Sequence, residues 1–174
     1  MAETITDDAA SFLASQGIVR RPATDDDLDF LRAVYHTTRA DEMAIVPWDE
    51  VQKTAFLDMQ FRAQHTFYHE QFPKAAYDIL LQCDVPIGRI YIDSRLGEVR
   101  VMDIAILPEY RDRGIGSALM RAVMYQSAAS GSKVTLHVET FNRAQTLYRR
   151  LGFTPIQTDG IYIYMEWKSD DARS

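Results

Sequence analysis

The sequence predicts an α/β domain of the α+β type, with a mixed, mostly antiparallel sheet and flanking helices. Three alternating apolar segments follow one another through short turns between 76 and 107, which predicts an antiparallel meander. A helical stretch then separates the third strand from another at 134–138, so these two strands are expected to be parallel with a right-handed crossover. Two closing strands meet at Asp159-Gly160, a dipeptide that favours a tight hairpin turn.

The first elements are a short strand and a capped helix. The strand at 18–21 is stopped by Pro22. Thr24 then opens a helix, and Asp27 stands three residues later, as in a capping box with Asp in place of Glu. The helical spacing predicts a buried stripe made of Leu28, Leu31, Val34 and Tyr35.

The longest helical pattern runs from 48 to 72 and ends at Pro73. One side carries Val51, Ala55, Met59, Ala63 and Phe67. Nearly opposite lie Leu57, Phe61, Tyr68 and Phe72. A helix that is apolar on two sides is expected to be covered on two sides. Burial between the sheet and a loop is one interpretation, and the other is that the second side lines a binding cleft or meets another subunit.

Glycines, prolines and turn residues delimit the remaining elements. Strands are predicted at 77–83, 87–96, 99–107, 134–138, 153–157 and 161–167. A helix from about 116 to 130 is ended by Gly131, and a second begins at its cap Asn142 and ends near Leu151. These boundaries give one domain at 18–167, preceded by a loosely held extension at 1–17 and followed by a polar tail at 168–174.

Length and composition restrict the class of protein. The chain has 174 residues, 47% of them hydrophobic, which fits one ordinary globular domain. Its single cysteine, Cys83, excludes an internal disulfide and a cysteine-based metal cluster. The apolar stretch at 104–107 is too short to cross a bilayer. The N-terminus lacks the basic and apolar regions of a secretory leader, so we expect a cytoplasmic protein without a membrane partner.

The net charge restricts the partners. A formal charge of -6 argues against nucleic acid, whose binding usually needs a basic surface. It favours cationic small molecules through long-range attraction, or it serves solubility alone.

A glycine-bearing loop, Arg111-Asp112-Arg113-Gly114-Ile115-Gly116-Ser117, follows a strand and opens a helix. The first turn of a helix has unpaired N–H groups and the positive end of the dipole, so an anion binds there readily. The two glycines let a phosphate approach the backbone, and the two arginines add positive charge. The alternative is a helix start with an incidental tight turn.

Two other phosphate-binding loops fit this segment poorly. A Walker loop has Lys before Ser or Thr after its last glycine, and here Ser117-Ala118 follows. A dinucleotide-binding loop needs a third glycine, where Leu119 stands, and belongs to a repeating βαβ unit. Glu139 does lie at a distance that suits a ribose carboxylate, so this second alternative is weakened rather than excluded.

Two segments resemble the GNAT acetyltransferase superfamily. The first is 103–116, which reads DIAILPEYRDRGIG and contains Arg/Gln-x-x-Gly-x-Gly/Ala at a helix start. The second is 142–153, which reads NRAQTLYRRLGF, at the family's usual order and separation. The likeness is specific from about 99 to 153 and extends over 18–167 through element order. It implies the GNAT fold, in which acetyl-CoA lies between two parallel strands that splay apart.

The resemblance also implies the residues that hold acetyl-CoA. The backbones of Ile104 and Ile106 would pair with the pantetheine arm. Arg111 would add charge, and Asn142 would position the cofactor or only cap its helix. The pyrophosphate would be held by Arg113, Gly114, Ile115, Gly116 and Ser117.

The implied reaction is direct attack of a primary amine on the thioester, with Tyr148 protonating the departing thiolate. The alternative for Tyr148 is a core aromatic on an amphipathic helix. The proton acceptor stays open. Asp103 lies on the strand beside the cofactor and either moves protons or braces the loop, and His137 is either a base or a hydrogen-bonded core histidine. Glu139 lies two residues beyond His137.

The sequence demands no metal. The pair His65-His69 has helical spacing for a shared ligand, but no third ligand stands near it, and a solvated helix face explains it as well.

By resemblance, the amine acceptor would be bound by the first two helices, their connection and the last hairpin. The large rings there predict an aromatic-rich pocket built from 43–48, the aromatic side of the second helix and 162–164. Two other functions stay open. One is a CoA-binding regulatory or sensor module without catalysis, and the other is an interaction scaffold or homodimer formed through the second helix.

Overall fold

A seven-stranded sheet is the centre of the protein, whose residues 8–170 are described by a computed structural model. The strands in chain order are β1 (Ile18–Pro22), β2 (Ala76–Gln82), β3 (Val85–Arg95), β4 (Glu98–Ile106), β5 (Lys133–Glu139), β6 (Thr154–Asp159) and β7 (Tyr162–Trp167). In space their order is β1-β2-β3-β4-β5-β7-β6. Between residues 8 and 170 the pair β4–β5 is parallel and every other neighbouring pair is antiparallel, which confirms the predicted mixed sheet.

Helices cover both faces of this sheet. They are α1 (Asp8–Ser15), α2 (Leu28–Thr38), α3 (Ala40–Ala44), α4 (Glu50–Gln71), α5 (Ile115–Ala129) and α6 (Ala144–Arg150). The larger apolar core joins α1, α5 and α6 to one face, and the smaller joins α2 and α4 to the other. The helices predicted from 48, 116 and 142 are confirmed, whereas α3 was not expected.

The N-terminal segment differs from the loose extension predicted for 1–17. Residues 8–15 form α1, in which Ala9 and Leu13 are buried and Phe12 packs against the larger core. A short apolar island suffices to dock one helix against α5, so the prediction is wrong for this part of the segment. Residues 1–7 of the extension and 171–174 of the predicted tail lie outside the described residues, and the domain limits stay a prediction.

The start of α2 follows the predicted capping pattern after one 3-10 turn. The Thr24 N–H donates to the Asp27 carboxylate at 2.8 Å. Hydrogen bonds from Arg21 hold the pKa of Asp27 at about 2. Leu31, Val34 and Tyr35 are buried as predicted, but Leu28 is 38% exposed because it begins the helix at the surface.

The long helix α4 is buried on one side only. Leu57 and Phe61 are buried against α2 and the sheet, whereas Val51 is 79% and Phe67 54% exposed. The expectation that both sides are covered within the chain is therefore wrong for the described residues. The periodicity records where apolar side chains lie but not what packs against them. Contact of this face with another subunit stays a prediction.

The parallel strands separate halfway along their length. Pairing of β4 with β5 runs from Glu98↔Lys133 only to Val101↔Leu136. At the same level the β3–β4 register shifts, because Tyr91 faces Asp103 while Ile92 faces Val101, which leaves Met102 as the extra residue of a β-bulge. A bulge bends its strand. The end of β4 therefore turns away from β5, and a cleft opens between them.

Candidate active site

The open edge of β4 presents free backbone groups to this cleft. The Leu107 N–H donates to the Ile87 carbonyl oxygen at 2.8 Å, towards β3. Because backbone groups alternate along a strand, those of Ile106 and Ile104 face the opening. The Ile106 carbonyl oxygen accepts a hydrogen bond from Arg111 Nε at 2.7 Å. The exposed Arg111 side chain therefore occupies one of the acceptors that the resemblance gives to pantetheine.

Below this edge, α5 begins with unpaired backbone donors. Gly114 caps the helix with φ 79°, and Asp112 also lies in the left-handed region with φ 58°. The Ala118 N–H donates to the Gly114 carbonyl oxygen at 3.0 Å and closes the first turn. The N–H groups that precede it have no intrahelical acceptor, as at any helix start. The loop therefore offers several N–H donors and the positive end of a fifteen-residue helix dipole.

The space before these donors is open and has apolar side chains along it. A Cβ built on Gly116 would meet only Ile106 Cδ1, at 3.8 Å. Internal packing therefore does not require glycine there, whereas close approach of a ligand does. The cleft is lined by Ile104, Ile106, Tyr110, Arg111, Asp112, Gly114, Ile115, Gly116, Ser117, Met120, Ala144, Leu147, Tyr148 and Arg150. We call it the α5 cleft.

Asn142 lies outside the α5 cleft. Its Oδ1 accepts from the Ala144 N–H at 2.9 Å, and its Nδ2 donates to Glu139 at 3.3 Å. Of the two roles left open for Asn142, the structure shows the cap at the start of α6. The side chain faces a second cavity, and its contact with the cofactor stays a prediction.

That second cavity opens on the opposite face, beside α2 and α4, and we call it the α4 cavity. It meets the α5 cleft at Ile104 and Tyr148, which line both. Its lining comprises Tyr35, Thr38, Arg39, Gln64, Tyr68, Arg89, Val101, Met102, Asp103, Ile104, Leu136, His137, Val138, Glu139, Asn142, Tyr148 and Tyr162. A molecule in the α5 cleft and a molecule in the α4 cavity would therefore meet beside Tyr148.

Tyr148 is held at this junction by α6. Its side chain is buried, and its ring lies 5.9 Å from that of Phe153. Burial and, second, the negative charge of Asp103 raise the pKa of Tyr148 to about 12. The phenol therefore stays protonated at any pH at which the protein would work.

Asp103 is held in an ion pair. Arg89 Nη2 donates to its carboxylate at 2.7 Å and also to Gln64 at 3.1 Å. The Arg89 guanidinium lies over the ring of Tyr91, 4.9 Å from its centroid. This buried arginine fixes Asp103 in place and compensates its charge.

His137 and Glu139 follow on β5 and face the α4 cavity. The His137 side chain is exposed, and partial burial together with the charge of Arg100 lowers its pKa. Its ring lies 5.1 Å from that of Tyr164. Glu139 is instead engaged, since Arg39 donates to it at 3.1 Å. The structure thus brings the candidates Asp103, His137 and Tyr148 to one cavity.

The residues expected to bind the amine substrate were predicted only in part. Tyr68 and Tyr162 do line the α4 cavity, but the segment 43–48 does not contribute to its lining. The sequence reasoning missed Arg39, Gln64 and Arg89. A signal for Arg89 was available, because the period-two pattern of its strand places an arginine at an inward position between apolar neighbours.

Residues 8–170 contain neither a metal-binding cluster nor a membrane-spanning helix. No cluster of three or more His, Cys, Asp or Glu side chains is arranged to hold a metal ion. No helix in the same range combines the length and apolar character needed to span a membrane.

The arrangement defines an α/β domain with a splayed parallel pair above a helix N-terminus, and known proteins share it. Residues 75–155 match the family model described as an acetyltransferase (GNAT) domain. The structure of PaiA N-acetyltransferase from Thermoplasma acidophilum, in complex with coenzyme A, has a TM-score of 0.67 at 19% identity and covers 87% of this chain and 99% of that one. Residues 75–155 are therefore similar to a GNAT acetyltransferase domain, and the resemblance drawn from the two motifs is confirmed.

Two curated relatives are also similar over part of the chain. Mycothiol acetyltransferase of Streptomyces griseus is 36% identical over 42% of this chain. A putative ribosomal protein bS18 alanine N-acetyltransferase of Bacillus subtilis is 32% identical over 52% of it. The matched regions span 24% and 62% of the lengths of these relatives.

Proposed function

We propose that the protein transfers an acetyl group from acetyl-CoA to a primary amine by direct attack of the amine nitrogen on the thioester carbonyl. The observation that carries this proposal is the meeting of the α5 cleft and the α4 cavity at Tyr148. The α5 cleft suits a diphosphate with an extended arm, and the α4 cavity is polar and open to a second substrate. The named relatives are acetyltransferases, which supports the same reaction class.

The α5 cleft would hold acetyl-CoA through the chain's own backbone. The N–H groups from Arg113 to Ser117 would bind the diphosphate at the positive end of α5. The free groups of Ile104 and Ile106 would pair with the amides of the pantetheine arm once Arg111 leaves the Ile106 carbonyl. The cosubstrate supplies an activated acetyl group on a thiol leaving group.

Tyr148 and the edge of β4 would act on the reacting atoms. A phenol whose pKa is raised to about 12 keeps its proton until a thiolate forms beside it. The Ile106 N–H, which faces the opening, would stabilise the negative charge that develops on the carbonyl oxygen. Asp103 would act indirectly, because its charge helps to raise the pKa of Tyr148.

His137 is the best candidate to remove the proton from the attacking ammonium. Its lowered pKa leaves the imidazole neutral near pH 7, and a neutral imidazole accepts a proton. Asp103 and Glu139 are each held by an arginine, whereas His137 forms no ion pair among residues 8–170. An exposed, neutral histidine in the cavity therefore suits the base.

Titration with acetyl-CoA tests the proposal directly. At about one hundred times its Kd the cosubstrate should raise the free energy of unfolding by about 2.7 kcal/mol, seen as a higher Tm. Pantetheine, which lacks the diphosphate, is the control and should shift the Tm far less. Addition of an amine panel should then release free thiol. An unchanged Tm would contradict the proposal, and a shift without thiol release from any amine would favour the CoA-binding sensor module.

Substitution of His137 tests the base through pH. If the neutral imidazole is required, kcat should fall as the pH drops through the pKa of His137, with a midpoint below 6.5. His137→Gln should remove this limb and lower the plateau by about 10²- to 10⁴-fold. His69→Gln, an exposed histidine outside both spaces, is the matched control. If kcat of His137→Gln still falls in the same way at low pH, the proton acceptor is a different group.

A further inference from the structure

Three buried arginine nitrogens of the α4 cavity lack a hydrogen-bond acceptor among residues 8–170. They are Nε and Nη1 of Arg89 and Nε of Arg39. The Arg89 side chain is only 1% exposed, and both arginines line the cavity. A buried N–H without an acceptor is costly, so such groups generally have a partner in the working protein.

The two carboxylates that line the α4 cavity already accept hydrogen bonds from protein side chains. Asp103 accepts from Arg89 Nη2 at 2.7 Å, and Glu139 accepts from Arg39 at 3.1 Å and from Asn142 at 3.3 Å. The two arginines, which can only donate, therefore keep donors that these carboxylates do not use. Guanidinium groups match carboxylates in geometry and charge.

We propose that the amine acceptor carries a carboxylate, and that Arg89 and Arg39 bind this carboxylate in the α4 cavity. The inference rests on the proposed function and names the class of its second substrate. Arg89 offers the nitrogens that Asp103 leaves free, and Arg39 offers its Nε, which neither Glu42 nor Glu139 uses. The ammonium end of the same molecule would lie towards His137 and Tyr148.

The charge of the cavity agrees with such a substrate. Among the charged side chains of the lining, the two arginines balance Asp103 and Glu139, and Arg39 also pairs with Glu42 just outside it. A zwitterion adds no net charge to this space. A polyamine would instead bring extra cations to carboxylates that are already paired and to arginines that repel them.

The carboxylate takes no part in the chemistry. The amine nitrogen, after giving a proton to His137, forms a bond to the acetyl carbon. The carbon–sulfur bond breaks, the departing sulfur takes the proton of Tyr148, and the second proton lost by the nitrogen as the amide forms restores the Tyr148 phenol. The carboxylate only fixes the distance and direction of the amine, which is the role of a specificity group.

The test compares matched amines. Each of the twenty protein amino acids is assayed for thiol release beside its amide and its decarboxylated amine. The preferred amino acid should exceed both analogues by about 10- to 100-fold in kcat/KM, the effect of one charge-assisted hydrogen bond or more. Equal rates with the amide or the decarboxylated amine would overturn the inference.

A binding measurement separates this inference from the proposed function. The same compounds are titrated calorimetrically into protein saturated with coenzyme A, which requires no turnover. Tighter binding of the carboxylate-bearing member supports the inference, and equal or absent binding of all three contradicts it. Thiol release that occurs without discrimination would contradict only this inference, whereas absence of release with every amine would contradict the proposed function.

Substitution of the two arginines tests whether they are the groups that bind the carboxylate. Arg89→Lys and Arg39→Lys keep the positive charge beside Asp103 and Glu139 but remove the forked donors. Each should lower kcat/KM for the carboxylate-bearing amine by about 10-fold more than that for its decarboxylated analogue. Arg32→Lys, at an exposed ion pair on α2, is the control for arginine loss. An equal fall for both substrates would show a merely structural role and contradict the assignment.

Discussion

Tyr148→Phe is expected to lower kcat by about 10²- to 10⁴-fold while the Kd for acetyl-CoA changes by no more than about twofold. Tyr148 lines both spaces, and its proton is retained because the pKa of Tyr148 is raised to about 12. Removal of one oxygen leaves the ring contact with Phe153 and the packing of α6 in place. Chemistry is therefore lost while the fold and the α5 cleft persist.

Steady-state thiol release and an acetyl-CoA titration measure the two quantities separately. Tyr125→Phe is a matched control, because Tyr125 is an exposed tyrosine on α5 that lines neither space. An unchanged kcat in Tyr148→Phe would remove this residue from the mechanism. A parallel loss of acetyl-CoA affinity would instead indicate that the hydroxyl orders the cleft.

Local signals in the sequence predicted most of the fold. The alternation between 76 and 107 and the Asp159-Gly160 turn gave the antiparallel strands, and the helix between two strands gave their parallel pair. The Gly114 loop was likewise visible as a strand followed by a helix start. Each of these features is encoded by residues that are close in the chain, so short-range physics is enough to predict it.

Features that depend on distant residues were not visible in local patterns, although the resemblance implied that the parallel strands splay apart. The cleft opens at Met102 because β3 and β4 shift register there, and no local pattern at that residue reports the shift. Arg89 and Asp103 form their pair across two strands, and Arg39 reaches Glu139 from 100 residues away. The polar character of the α4 cavity arises from these contacts. An acceptor pocket inferred from aromatic residues alone therefore missed its charges.

Gly116→Val is expected to weaken acetyl-CoA binding by about 10²- to 10⁴-fold, since it would separate the diphosphate from two or more of its N–H donors. The protein itself should tolerate the change. A Cβ at this position meets only Ile106 Cδ1, at 3.8 Å, and Gly116 has no left-handed backbone to strain. The added side chain would instead extend into the space before the first turn of α5.

Gln126→Val provides the control for the lower helix propensity of a β-branched residue, because Gln126 is exposed on the same helix and lies outside the α5 cleft. Tm values without ligand should be similar for the two variants, while only Gly116→Val should lose the shift given by acetyl-CoA. Gly116→Ala should fall between wild type and valine if the loss is steric. Wild-type affinity in Gly116→Val would mean that the diphosphate does not lie on the N-terminus of α5, and the proposed orientation of the cosubstrate, with its thioester at Tyr148, would have to be abandoned.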